Sequence, residues 1–157
     1  MKVATISELK TELNSSSPAQ LVEICIRLAK FKKDNKELMT YLLFEFFDEH
    51  ACIENIKKEM QVQFEEINKS NVYFVKKSLR KILRFVNKHI RFIASTEAEI
   101  NLLLSFCTLL RASGAPVDSN PVIKNIYQNQ VKKITKSIAT MHEDLQYDYE
   151  KQLKLLS

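Results

Sequence analysis

Residues 67–96 carry eight basic side chains, Lys69, Lys76, Lys77, Arg80, Lys81, Arg84, Lys88 and Arg91, and no aspartate or glutamate. The 157-residue chain holds 24 Lys and Arg against 19 Asp and Glu, a net charge of +5. Outside this stretch the balance is 16 against 19, or −3, so one segment sets the sign of the molecule. At about 100° per residue, Lys76, Lys77, Arg80, Lys81, Arg84, Lys88 and Arg91 share one arc of a helix. Val72, Val75, Leu79, Ile82, Leu83, Val86, Ile90 and Ile93 occupy a second arc, and Phe74, Phe85 and Phe92 line its edge. Like charges at i,i+4, as in Lys77–Lys81, Arg80–Arg84 and Arg84–Lys88, repel by about 0.2–0.5 kcal/mol per pair. Something must offset that repulsion. Glutamates from other helices, such as Glu59, Glu65 or Glu66, are one source. Phosphates, anionic lipid or an acidic protein surface outside the fold are the other. The seven strip residues are therefore polyanion-binding candidates, with no helix-turn-helix or zinc-finger pattern beside them.

Glu45, Asp48 and Glu49 stand at i, i+3 and i+4, with His50 next and Glu54 four beyond it. Carboxylates and imidazole at helical spacing suit a metal. Yet Asp48 reads as a helix N-cap, and Glu49 in the first turn complements the helix dipole. The Glu-x-x-His repeats of di-iron bundles are missing, so no metal is expected. His142, Glu143 and Asp144 read as a solvated face, and His89 borders the apolar arc. Cys25, Cys52 and Cys107 form no Cys-x-x-Cys pair and each has Ile, Leu or Phe nearby, so all three are expected to pack as small hydrophobes. The chain has neither a Gly-x-Ser-x-Gly nor a Rossmann glycine pattern, and its single glycine excludes glycine-rich phosphate loops. No catalytic residue and no cofactor are expected.

The elements that carry these residues follow from composition and caps. One glycine and three prolines in a chain that is 45% hydrophobic argue for few turns and long elements, hence an all-α fold. Thr5 with Glu8 reads as a capping box for a first helix ending near Asn14, and Ser17-Pro18-Ala19-Gln20 starts a second running to about Lys33. Asn35 is placed to cap a third, over 36–47. Eight of the ten residues in 38–47 are apolar and cover every side, which predicts a helix that is central or lies in an oligomer interface. Asp48 caps a fourth, Ser70 or Asn71 a fifth, and Ser95 or Thr96 a sixth, with Glu99 placed to close a capping box on Thr96. Gly114 fits the left-handed residue past that helix, and 113–120 is the one clear loop. Asn120-Pro121 then starts a last helix whose stripe runs from Ile123 to Leu153. In one piece it would reach about 50 Å, and a curved or interrupted helix is the better fit.

These seven starts follow no fixed period. The prediction is a single all-helical domain over 1–157, a compact multihelical bundle or, as the alternative, a short irregular HEAT-like array. The N-terminus has no apolar h-region, and the apolar runs 38–47 and 100–110 fall short of the ~20 residues that span a membrane. A cytoplasmic protein without membrane insertion is expected.

The stretches 28–38 (LAKFKKDNKEL) and 76–84 (KKSLRKILR) resemble a small family of uncharacterised bacterial proteins, and the resemblance extends along most of the chain. It implies a multihelical fold and no residue roles. The residues themselves point to a non-enzymatic interaction or scaffold protein, self-associating through surplus apolar stripe. The alternative is a nucleic-acid-associated protein that uses the basic strip.

Overall fold

The computed structural model describes residues 1–156. Among them the regular structure is eight α-helices and one π-helical segment, with no strand. None of these helices is long and apolar enough to cross a membrane. The chain divides into two compact units, Met1–Glu45 and the remainder from Phe46.

In the first unit, Thr5 and Glu8 form the expected capping box of α1 (Ile6–Ser15), with the Glu8 N–H donating to Thr5 Oγ1 at 3.3 Å. Ser17 and Gln20 do the same for α2 (Pro18–Phe31). A single extended residue, Lys32, then turns the chain into α3 (Lys33–Thr40). Asn35 is not the cap. The helix begins two residues before it, and its side-chain amide reaches back to the Leu28 carbonyl at 2.8 Å. That bond satisfies a carbonyl near the open end of α2, which has no partner of its own. The helix expected over 36–47 also changes winding: Tyr41–Glu45 is π-helical, its backbone bonds closing wider rings. No residue of α1, α2 or α3 is buried, and Tyr41 is the one buried side chain of the unit. The apolar run at 38–47 is therefore not the central helix.

That position belongs to α6 (Thr96–Ala112) in the second unit. Ala98, Ile100, Leu102, Leu103, Leu104, Phe106, Cys107 and Leu110 are buried on it, over about two thirds of its circumference. It packs against α4 (Glu49–Glu65), α5 (Val72–Ile93), α7 (Pro121–Ile138) and α8 (Glu143–Lys154). Phe106 meets Phe64 of α4 at 5.4 Å between ring centroids. Each fully buried Leu or Phe contributes about 1.5–3 kcal/mol of transfer free energy, so α6 dominates the core. Ser95, not Thr96, caps it, and Glu99 closes no capping box. The Glu99 carboxylate instead accepts from Ser137 Oγ at 2.7 Å and pairs with Lys133 Nζ at 3.1 Å, tying α6 to α7.

The last helix is interrupted at 139–142. Thr140 and Met141 donate to carbonyls three residues back, ending α7, and His142 Nδ1 accepts from the Asp144 N–H to start α8. Geometry explains the break. An α6 of 17 residues is about 25 Å long, and a 50 Å rod would overshoot it. Breaking the rod lets both halves lie on the same central helix.

Among the described residues two turn left-handed: Gly114, φ +78°, just past α6 as expected, and Ala94, φ +54°, between α5 and α6. Only glycine takes this conformation freely; an L-residue pays about 1–2 kcal/mol. Ala94→Gly should accordingly raise unfolding free energy by about 0.5–1 kcal/mol, and Gly114→Ala should lower it by about 1 kcal/mol. Urea unfolding measures both, and no atom would contact a new Cβ at Gly114 within 4 Å to confuse the second.

Candidate functional site

The basic strip sits on α5, whose other faces are spoken for. Val75, Leu79, Ile82, Val86, Ile90 and Ile93 are buried. On the flank, His89 stacks edge-on between Phe85, at 4.6 Å, and Phe92, at 5.7 Å. Lys77, Arg80, Lys81, Arg84 and Arg91 are exposed, and Lys76 and Lys88 are half-buried. Among the described residues no carboxylate lies within 4.0 Å of the charged groups of Lys76, Lys77, Arg80, Lys81, Arg84 or Arg91. Glu59, Glu65 and Glu66, the intramolecular partners considered from sequence, are exposed, and Glu65 accepts from Gln61 of its own helix. At one border of the strip, Asn87 accepts a hydrogen bond from Lys133 of α7 at 3.2 Å. The internal route to offsetting the repulsion is thus closed for six of the seven candidates.

A polar cleft of about 560 Å³ opens between α4, α6 and α8. It brings together part of the sequence cluster, Glu49, His50 and Glu54, with Glu97, Asn101, Asp148 and Tyr149. Asp48 is not in it; its carboxylate caps α4 through the Ala51 N–H at 2.9 Å. A 2.9 Å bond from Lys57 Nζ, reinforced by the lysine's charge, holds the Glu54 carboxyl below the usual carboxylate range. Tyr149 donates to Glu97 at 3.2 Å and accepts from Asn101 at 3.1 Å, while burial pushes its phenol up. The cleft was invisible in sequence because its two walls lie about a hundred residues apart. Among the described residues, no three His, Cys, Asp or Glu side chains are grouped to hold a metal ion.

The first unit has a different kind of concavity. Ile26, Ala29, Met39, Leu43 and Phe44 line an apolar groove of about 560 Å³ bordered by Lys30, Lys33 and Lys36. Phe44 of this lining and Phe31 at the end of α2 are 75% and 78% exposed, values far outside core behaviour. The α1 stripe of Ile6, Leu9 and Leu13 is likewise exposed, with Glu8 and Glu12 on the same helix.

The three cysteines separate by position. Cys52 and Cys107 pack as expected, but Cys25 is exposed on α2, because no element covers the stripe it belongs to. Burial drives the Cys107 thiol up to about 12, which removes it as a nucleophile at neutral pH.

No protein-family model, curated protein or solved structure matches the chain. Its functional reading therefore rests on these surfaces.

A thiol reagent at pH 8 should modify one cysteine rapidly in the native protein and all three in denaturant. Peptide mapping is expected to place the fast label on Cys25. Rapid labelling of Cys107 would mean that α6 is less enclosed than its burial indicates.

Proposed function

We propose that this chain is a non-enzymatic interaction protein that associates with a second copy of itself through the apolar surface of Met1–Glu45. The observation that carries this reading is a unit of 45 residues with one buried side chain and long rows of exposed Leu, Ile, Val and Phe. Segments near this size bury too little surface to be stable alone and usually rely on association or cross-links. A helix hydrophobic on every side belongs in a core or an interface, and 38–47 does not lie in the core.

The choice of occupant comes from the charges. The apolar groove is edged by three lysines, and α1 carries an apolar stripe on a helix with Glu8, Lys10 and Glu12, one net negative charge. One chain thus holds both halves of a complementary pair. When two identical copies exchange such halves, the contact is two-fold and closes on itself, giving a dimer rather than a fibre. Rim charges of this kind direct the register, while the apolar contact supplies most of the affinity.

Static light scattering at micromolar concentration is expected to give about twice the monomer mass, and Phe44→Asp should return the protein to monomer without loss of helix content. The variant Glu12→Lys and the triple variant Lys30→Glu, Lys33→Glu, Lys36→Glu should each associate about tenfold more weakly, a change of ~1.4 kcal/mol. Mixed, they should recover association, because opposite charges face one another again. A strict monomer for the unmutated protein would overturn the proposal.

A further inference from the structure

The strip on α5 contains more than charge. Tyr73, Lys77, Arg80, Arg84, Lys88 and Arg91 recur at i, i+4, i+7, i+11, i+15 and i+18, which is one line along a 3.6-residue helix. Tyr73 is 63% exposed at the head of that line, and its ring stands edge-on to the exposed ring of Phe74 at 5.6 Å. The face therefore begins with an aromatic platform and continues as a row of cations about 21 Å long. At 3.4 Å per nucleotide of a helical strand, that row faces about six phosphates.

We infer that this face of α5 binds single-stranded nucleic acid, with the cations on the phosphodiester backbone and Tyr73 stacked on a base. Three observations select this occupant. Lys77, Arg80, Arg84 and Arg91, the exposed cations of the row, have no carboxylate partner among the described residues, so no ion pair of theirs must be broken on binding. An exposed tyrosine in the same row can add about 1–3 kcal/mol by stacking, but only on a base whose face is open, as in an unpaired strand. A membrane would need the apolar side of the helix to enter lipid, and Val75, Leu79, Ile82 and Val86 are already buried inside the fold. Binding is independent of sequence, because every base offers an aromatic face and no side chain here is arranged to read base edges. The strip belongs to the second unit, and its role requires no self-association.

The test is fluorescence anisotropy of the full chain with a labelled oligothymidine of about twelve nucleotides at low salt. Neutralising five phosphates of a single strand predicts a log–log salt slope of roughly −3.5, from ~0.7 per phosphate. Arg80→Gln with Arg84→Gln should reduce that slope by about 1.4. Tyr73→Ala should weaken binding about tenfold with the slope unchanged, because stacking releases no counterion. These side chains are exposed, so circular dichroism is expected to show all variants folded. Failure to bind the oligonucleotide at low salt would overturn the proposal. So would a Tyr73→Ala variant of unchanged affinity, a duplex bound as tightly as the single strand, or binding confined to vesicles of anionic lipid.

Discussion

Burying most of the circumference of α6 constrains the whole second unit. The helix's buried residues span about two thirds of its circumference and leave only the side of Glu97, Asn101 and Thr108 to water, so several other helices must cover it. Four are present, and each presents a stripe rather than a full circumference: Ile53, Ile56, Met60 and Phe64 on α4, Val75 to Ile93 on α5, Ile123 to Ile138 on α7, and Tyr149 on α8. The acidic residues in the first turn of α6 serve the same end. Glu97 and Glu99 reach outward to Tyr149 and to Lys133 and Ser137, and those bonds hold α8 and α7 against the helix they cover. The interruption at 139–142 is another consequence, since only a broken rod keeps both halves on so short a core.

The same constraint sorts the charges of α5. With its apolar arc facing the core and the Phe85–His89–Phe92 row along one flank, the remaining arc is the only place for seven cations. Turning them inward toward glutamates would have required desolvating ions, a cost of several kcal/mol per charge that a pair seldom recovers. Water screens the like-charge repulsion at far less expense. Exposure of the strip is thus what the helix's own amphipathicity dictates, and its result is a row of cations of which Lys76, Lys77, Arg80, Lys81, Arg84 and Arg91 have no carboxylate within 4.0 Å among the described residues.

The first unit follows the opposite rule. Its first two helices are well capped and therefore locally stable, yet their stripes meet no core. Strong caps and exposed apolar faces together describe a segment whose helices are fixed by local interactions and whose apolar stripes are left uncovered. Cys25 is the clearest marker: by residue type and neighbours it belongs in an interior, and it stands in solvent because the stripe around it is uncovered.

By itself the sequence determined everything that depends on neighbours a few residues away. The all-helical class, the caps at Thr5, Ser17, Asp48, Asn71 and Asn120, the left-handed Gly114 and the grouping of the basic residues all rest on backbone sterics, capping bonds and 3.6-residue periodicity. Tertiary structure alone decided which of two apolar segments became the centre. Residues 38–47 and 100–110 read alike in composition, but only the second is reached by four covering stripes, and composition does not record how many partners arrive. It likewise decided that Asn35 turns back to Leu28, that Glu99 serves α7, and that Glu49, His50 and Glu54 share a cleft with Asp148 and Tyr149. Each of those depends on where a distant helix lies, and that position follows from packing around α6 rather than from any local signal.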